Sequence, residues 1–318
     1  MDILRLTGSV KKSRILWFAV LLLVANKAAG QQDAMYSQYM FNALAINPAY
    51  AGSRNVISAT GLYRSQWSGM AGAPKTTTFT IDGTVLNKRV GLGLQVLNDK
   101  LGITKTTGGV ASYAYRLRFD QGTLALGLQG SVMQYTADYT SVSLGSSSPY
   151  DPAFAENVNK LLFNFGTGVY YNTDRFYVGL SAQDLLRNRL TDYVAPDQSA
   201  GSTKAIHLFL ASGYVFSLND DFKLKPSVLL KGVKGSPLEA DINSTLWIKD
   251  VVAVGVQYRT SADIAGMVEL QLSSQLRFGY SYDRSVTRLQ DFNSGSHEIM
   301  IRYEFGFSRG KILSPRYF

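Results

Sequence analysis

The chain has 318 residues, no cysteine, two histidines and a formal net charge of +9. The missing cysteines exclude disulfides and a lipid-attached cysteine. Residues 1–30 hold five Lys/Arg and one acid, so the remainder carries +5, too small and too evenly spread a charge to favour nucleic acid as a partner. Only 17% of residues are charged, against roughly 25% in soluble domains, and the 29 Gly and 19 Tyr are typical of a surface that faces lipid.

The first 30 residues have the three parts of a secretory signal peptide in order. A basic stretch ending at Arg14 precedes an apolar run from Ile15 to Ala25, and Ala28-Ala29-Gly30 supplies the small residues that a signal peptidase needs. The apolar run is shorter than the roughly 20 residues of a membrane-spanning helix, which argues against the alternative of a retained anchor. We therefore predict cleavage after Gly30.

Residues 31–54 form a second unit, which we predict to be a plug-like segment. Apolar side chains recur at spacings of three and four between Ala34 and Leu44, which predicts a short amphipathic helix. Asn47-Pro48 must end that helix, because proline disfavours helical geometry in the residue before it. We expect the segment to fold into or across the periplasmic mouth of a barrel, with its aromatic side chains packed on inward-facing residues.

The rest of the chain alternates between apolar and small or polar residues with period two, the pattern of β-strands. In LRFGYSYD, residues 276–283, the large apolar side chains fall on one face and Arg, Gly, Ser and Asp on the other. A soluble sandwich would bury the apolar face in a core, but the small and charged second face indicates a polar or crowded interior. The pattern predicts an all-β fold, a transmembrane antiparallel β-barrel of about 14 strands.

Turn residues divide this region into fourteen strands within a single barrel domain, residues 55–308, followed by a short tail, residues 309–318. The predicted strands are 55–68, 76–86, 90–98, 106–119, 122–139, 160–171, 175–185, 204–217, 221–234, 237–248, 251–260, 262–271, 275–285 and 296–308. Short turns alternate with longer polar gaps, among them Asn98 to Lys105, as expected for periplasmic turns and external loops.

The sequence offers few candidate catalytic residues. His207 is predicted to point inward from a strand, and His297 lies where a long loop enters the last strand. Neither is accompanied by the ligands of a metal site or by an orienting motif, so we predict no catalytic residue, no metal, no cofactor and no enzymatic activity. Trp67 and Trp247 lie near strand ends and are predicted to belong to the interfacial aromatic belts.

Three groups of motifs carry a family resemblance. The first is QYMFNALAINPAYAG, residues 38–52; the second is Arg-x-Gln-Trp followed by Gly-Ala-Pro-Lys-Thr within residues 63–79; the third comprises GYSYD, SHEIMIRYEF and the terminal PRYF. The residues that match are Gln38, Tyr39, Met40, Phe41, Asn42, Asn47, Pro48, Tyr50, Gly52, Arg64, Gln66, Trp67, Gly72, Ala73, Pro74, Lys75, Tyr280, Tyr282, Asp283, His297 and Glu298. Together they resemble the PorP/SprF family, outer-membrane proteins of Bacteroidota associated with the type IX secretion system and gliding motility.

The resemblance implies a partner-binding barrel of the outer membrane. Family members serve export or surface retention of large proteins, often adhesins, that carry a type IX C-terminal signal domain, and some connect to periplasmic components of the secretion machine. The implied partners are therefore outer-membrane lipid, a secreted client protein and periplasmic type IX components.

Two further function classes fit the same pattern of strands. A transporter or porin for a hydrophobic or small solute would also have a signal peptide and alternating strands, and an outer-membrane enzyme would need a nucleophile and base inside the barrel or on a loop. Tyr150 and Phe154, on the loop from Thr140 to Asn159, are candidate partner-binding aromatics, because exposed aromatic side chains bury much area with few rotamers lost.

Overall fold

The computed structural model describes residues 36–143, 151–191, 203–234 and 236–305. The predicted signal peptide, the tail after residue 308 and Tyr150 lie outside these ranges. Within them the chain forms a closed antiparallel barrel in which each strand pairs with the next and the last strand pairs with the first. No helix in the described ranges has the length and apolar composition that crossing a membrane requires.

The strands are β1 Ile57–Ser65, β2 Lys75–Val85, β3 Val90–Leu101, β4 Thr104–Phe119, β5 Gly122–Ala137, β6 Val158–Asn172, β7 Phe176–Gln183, β8 His207–Tyr214, β9 Phe216–Ser217, β10 Phe222–Val233, β11 Glu239–Ile248, β12 Val252–Arg259, β13 Asp263–Gln271, β14 Leu276–Ser285 and β15 Ser296–Phe305. β8 and β9 both pair with β10 and are two parts of one barrel strand, interrupted at Val215, so the wall has 14 strands. The predicted fold class and strand number are confirmed.

One predicted loop is wrong. Asn98 to Lys105 is not a long external gap, because β3 and β4 continue through it and pair as far as Leu101 with Thr104. Gly102 adopts a φ of +57°, in the left-handed region that glycine enters at no steric cost. The chain can therefore reverse in a two-residue turn, which the polar sequence alone did not distinguish from a loop.

The two faces of the wall have opposite chemistry. Outward side chains in the middle of strands are apolar and exposed, as with Leu94 (58%) and Val256 (61%), whereas the neighbouring inward Gln257 is 1% exposed. The interior holds Thr, Ser, Asn and charged side chains alongside glycines. The apolar band therefore faces lipid, and the polar residues are withdrawn into the lumen.

The two ends of the barrel also differ. At the end where β1 begins, the connections are short: 86–89, 120–121, 173–175, 218–221, 249–251 and 272–275. The other end has the long connections, and there β4 and β5 (16 residues each) and β6 (15 residues) exceed the roughly 9–11 residues that a tilted strand needs to span a bilayer. By the rule for outer-membrane barrels, the short-turn end faces the periplasm and the extended wall projects outside.

A charge on the lipid face should destabilise the barrel according to its depth. We expect Leu94→Lys to lower the free energy of unfolding in lipid vesicles by about 2–4 kcal/mol, since the ammonium group would lie within the apolar band. Gln134→Lys, on the external extension of β5, is the control and should change it by less than about 1 kcal/mol. Equal effects in a urea titration would contradict the assigned membrane position.

Candidate functional site: the plugged lumen and its external cavity

Residues 36–54, here called the plug, lie inside the barrel rather than at its surface. Most of their side chains are buried, including Tyr39 (1%), Leu44 (2%) and Tyr50 (3%). The plug starts at the level of Arg64, near the external end of β1, and descends to the periplasmic end, where it continues into β1. It therefore runs lengthwise through the lumen.

The predicted amphipathic helix over Ala34 to Leu44 is wrong within the described residues. The plug contains three short 3-10 turns instead, Tyr39–Phe41, Ala43–Ala45 and Pro48–Tyr50. An amphipathic helix is stable where one of its faces is buried and the other is exposed to solvent. Here the wall strands surround the segment, so its apolar and polar side chains are buried on every side. Pro48 occupies the first position of the third turn, where its missing N–H loses no hydrogen bond.

Glycines in the wall let the plug backbone approach closely. A Cβ atom at Gly91 would lie 1.9 Å from the Ala51 carbonyl oxygen, and one at Gly127 would lie 2.2 Å from the Ala49 nitrogen. A Cβ at Gly168 would be 2.2 Å from Asn47 Oδ1. These inward glycines form a recess for the lower half of the plug, and any larger residue would displace it.

A buried ionic cluster holds the upper end of the plug. Arg64 Nη1 lies 2.6 Å from Asp283 Oδ2 and 3.2 Å from Glu298 Oε2. The backbone N–H groups of Ser37 and Gln38 donate to the Glu298 carboxylate at 3.0 and 2.8 Å, and the Ser37 hydroxyl donates to Asp283 at 2.6 Å. One arginine and two carboxylates thus join the plug to three strands, β1, β14 and β15.

A second ion pair holds the lower end. Arg54 Nε donates to Glu304 Oε1 at 2.8 Å, and the Arg54 side chain is 2% exposed. Burial alone would lower the pKa of Arg54, but the adjacent Glu304 carboxylate outweighs it and raises the pKa above its usual range. Arg54 therefore stays charged, and just above it the Gly52 N–H donates to Asp82 Oδ2 at 2.8 Å.

Between the two ion pairs, the motif side chains of the plug contact opposite walls. Asn243 Nδ2 donates to the Tyr39 hydroxyl at 2.7 Å, Thr80 Oγ1 donates to Asn42 Oδ1 at 3.1 Å, and Asn47 Nδ2 donates to the Val169 carbonyl at 3.0 Å. Further contacts are Met40 with Thr245, the Phe41 ring with Lys225, and Tyr50 edge-on to Tyr170.

The motif residues of β1, β14 and β15 divide into two groups. Arg64, Asp283 and Glu298 meet inside the barrel, as described above. Tyr280, Tyr282 and His297 alternate with the inward residues of β14 and β15, where the Tyr280 hydroxyl lies 2.7 Å from His297 Nδ1 and the Tyr282 and His297 rings are 5.2 Å apart.

The second motif forms the connection between β1 and β2. The Gln66 N–H donates to the Pro74 carbonyl at 3.0 Å, and the Trp67 N–H donates to Ser296 Oγ at 3.1 Å. Gly72, with a φ of +74°, accepts a hydrogen bond from the Gly102 N–H, Ala73 closes the turn onto Met70, and Lys75 begins β2. The motif thus ties neighbouring hairpins together at the external end.

A cavity of about 590 Å³ lies at the external end of the lumen and is called the external cavity. Its acidic lining residues are Asp99, Asp184, Glu239 and Asp263, and its basic ones are Lys204 and Arg259. Trp67, Tyr135, Met133 and several leucines supply apolar surface. In the loop after β7, burial would raise the pKa of Asp184, but His207 and Lys204 (3.0 Å) lower it, so this carboxylate is ionised at neutral pH.

The structure also shows the surroundings of the two predicted belt tryptophans, Phe154 and His207. Trp247 is not an interfacial-belt residue: it is 1% exposed inside the barrel, with the Arg277 guanidinium 5.4 Å from its ring centre, because its position in β11 has inward parity. Trp67 lines the external cavity. Phe154 packs edge-on against Tyr139 at 5.6 Å, and His207 is buried and inward.

The described part of the chain holds no group of three or more His, Asp or Glu residues placed to bind a metal ion. Sequence reasoning missed Arg54, Asn243 and Gly127 as residues that contact the plug or belong to it. The period-two pattern separates inner from outer residues of a strand, but it contains no signal for which inner residues meet the plug.

The fold and the buried segment in its lumen define an outer-membrane β-barrel of the plugged type. The profile of the type IX secretion system membrane protein PorP/SprF matches residues 28–303, so the chain belongs to the PorP/SprF family. The family and the fold are those of a secretion or porin-like barrel of the outer membrane.

Similar solved structures are outer-membrane proteins. The chain is similar to KdgM porin (TM-score 0.40, 11% identity, 78% of this chain and 99% of that one) and to Omp33 of Acinetobacter baumannii (0.47, 8%, 80% and 100%). It is also similar to a Pseudomonas aeruginosa FadL homologue (0.46, 13%, 88% and 96%). Each of these TM-scores is below 0.5. A search of curated proteins found no match.

Removing the arginine of the upper cluster should destabilise the protein strongly. We expect Arg64→Met to lower the free energy of unfolding by about 3–5 kcal/mol, since Asp283 and Glu298 would remain buried without their cation. Arg118→Met, an exposed position on β4, is the control and should have little effect. A urea titration of the refolded barrel measures both, and equal midpoints would contradict the role given to the cluster.

Displacing the plug should open the lumen to ions. We expect Gly127→Val to raise single-channel conductance in planar bilayers severalfold over the wild type, because its side chain would occupy the space of Ala49. Gly130→Val, on the same strand but with no contact closer than 4.0 Å at its Cβ, is the matched control. Identical conductance of the two variants would show that the plug does not block the lumen.

Proposed function

We propose that this barrel supports export or surface attachment of a partner protein that carries a type IX C-terminal signal domain, and that the partner is adhesin-like. Membership of the PorP/SprF family of type IX secretion proteins supports the class of function. The client, the signal peptide cleavage near Gly30 and a link to gliding motility belong to the proposal.

The single observation that carries the proposal is the filled lumen. Buried ion pairs hold the plug to the wall at both ends. Between them, the plug backbone packs closely against glycines of the wall. Breaking a buried pair by removing one partner costs roughly 3–5 kcal/mol, so thermal fluctuation populates an unplugged state only rarely. A partner protein would therefore bind to the ends of this barrel rather than pass through its lumen.

Each end offers a distinct surface. The external end has the extended wall of β4, β5 and β6 together with the cavity that Trp67 and Tyr135 help to line, and a secreted client would bind there. The periplasmic end has only short turns and the lower end of the plug, and it would face periplasmic components of the secretion machine. Outer-membrane lipid surrounds the apolar band.

The external cavity also favours a second candidate, a transporter for a hydrophobic or small solute. Its volume, about 590 Å³, falls in the range of roughly 300–1,000 Å³ for small-molecule sites. A purified wild-type barrel that passes small solutes freely across planar bilayers would favour this alternative, whereas the locked plug predicts low permeability.

Deletion of the gene should remove the client from the cell surface. We expect surface proteomics to show the loss of one or a few proteins with a type IX C-terminal domain, with recovery when the wild-type gene is returned. The double variant His207→Ala/His297→Ala is the control for an enzymatic role and should restore surface display fully. If every protein with such a domain still reached and stayed on the surface of the deletion strain, the proposed function would be wrong.

A further inference from the structure

Four basic side chains lie together at the periplasmic end of β3 and β4 and are here called the basic rim. Lys88 and Arg89 belong to the connection that precedes β3, and Arg116 and Arg118 are two residues apart near the end of β4. The Arg116 N–H donates to the Arg89 carbonyl at 2.8 Å, and these two residues are opposite each other, one step beyond the periplasmic end of the β3–β4 pairing. Like charges in opposing positions of paired strands are destabilising, so the rim costs stability unless an anion neutralises it.

No carboxylate in the described ranges forms an ion pair with the rim. Arg116 is 3% exposed, and its Nη1 donates to two neutral acceptors, Asn55 Oδ1 at 2.9 Å and the Lys88 carbonyl at 3.4 Å. Asp82 is the inner carboxylate whose charge acts on Arg116, but it lies beyond ion-pair distance and accepts a backbone N–H of the plug. Asp120, in the next turn along the chain, is exposed and does not contact the rim.

The rim differs in this respect from other cations of the barrel. Lys223 and Asp250, at the same end of the barrel, are 2.9 Å apart. The buried arginines with a carboxylate in contact are Arg54, Arg64, Arg259 and Arg277. Arg302 lacks such a contact, but it lies in the middle of β15, away from either mouth. The sequence after β15, residues 306–318, adds three basic residues and no acidic one, so the rim is a positive surface that another molecule can neutralise.

The backbone beside the rim has an unusual conformation. Leu86, Asn87 and Lys88 have φ values of +49°, +54° and +64°, in the left-handed region that residues other than glycine rarely adopt. Such strain persists only where the surroundings hold it, and it clusters at functional sites. Here the Arg116 guanidinium binds the Lys88 carbonyl, so the connection presents Lys88 and Arg89 from a fixed backbone.

The arginines of β4 belong to the lumen side of the wall. Leu117 and Phe119 alternate with Arg116 and Arg118 and are exposed on the lipid face, by 37% and 60%. Phospholipid headgroups surround the outer face of a barrel, so they would meet the apolar side chains rather than the two arginines. An anionic partner would therefore approach from the periplasm, and guanidinium groups bind carboxylates well because they can donate two parallel hydrogen bonds.

We propose that the basic rim is a docking site for an acidic polypeptide segment of a periplasmic partner. Lys88, Arg89 and Arg118 hold its carboxylates, and the less exposed Arg116 adds positive charge beside them. This inference rests on the proposed function, because that function assigns protein components of the secretion machine to the periplasmic end. It specifies their chemistry at this contact: a segment rich in aspartate or glutamate.

Binding of a defined peptide to the purified full chain in an uncharged detergent tests this proposal. The probe is acetyl-Asp-Glu-Gly-Asp-Glu-amide, and its control has asparagine and glutamine in place of the acidic residues, which keeps the shape and removes the charge. We expect saturable binding by calorimetry, with an affinity about tenfold or more above that of the neutral peptide. The affinity should fall as salt is raised.

Variants locate the site. The double variant Arg89→Gln/Arg118→Gln removes two exposed cations of the rim and should weaken binding of the acidic peptide about tenfold or more. Lys100→Gln/Lys105→Gln is the matched control, because these exposed lysines are paired opposite each other at the external end of the same two strands, and it should leave the affinity unchanged. Unaltered β-sheet circular dichroism confirms that each variant is folded.

Equal affinity for the neutral peptide, or equal weakening by the two double variants, would overturn the proposal. Anionic phospholipid is the competing occupant. If native mass spectrometry showed phosphatidylglycerol retained by the wild type and lost from Arg89→Gln/Arg118→Gln, while the acidic peptide did not bind, the rim would be a lipid site and the proposal would be wrong.

These outcomes are separate from the surface-display experiment. Loss of client display on deletion together with absent peptide binding would retain the proposed function and reject only this docking site.

Discussion

The structure depends on the buried cluster of Arg64, Asp283 and Glu298. Arg64 belongs to β1 and Glu298 to β15, the strands whose pairing closes the barrel, and both carboxylates also bind the start of the plug. The same cation therefore stabilises the closing seam and the filled lumen. Because each charge is almost fully buried, none can be removed without leaving another unpaired in a poorly solvated interior.

A filled lumen changes what the barrel can do. Porin-like conduction needs an aqueous path, whereas here the interior polar residues are occupied by plug atoms: Asn243 by Tyr39, Thr80 by Asn42, and the Val169 carbonyl by Asn47. Above the plug, the external cavity still offers polar groups to other molecules. In the proposed function, the plug therefore leaves recognition of a partner to the ends of the barrel.

The strands could be predicted almost completely from the sequence, because a two-sided wall with lipid on one face forces strict alternation. The prediction failed at single turns and single side chains. Asn98 to Lys105 looked like a loop because polar residues occupy both exposed loops and the parts of strands that project beyond the bilayer. Trp247 was assigned to the membrane interface because it lies near a strand end. Its place in the alternation of β11 instead directs its side chain into the lumen.

By itself, the sequence determined the class of fold, the inner and outer faces, and the family, since alternation and ordered motifs are local properties of the chain. Only the tertiary structure decided that motifs far apart in sequence, at Gln38, Arg64, Asp283 and Glu298, meet in one buried cluster. It also decided that the plug has no regular helix and that Gly91, Gly127 and Gly168 form its recess. The physical reason is that closing the barrel brings first and last strands together around a common interior, and which inner residues face each other there depends on strand register and curvature, which no local pattern encodes.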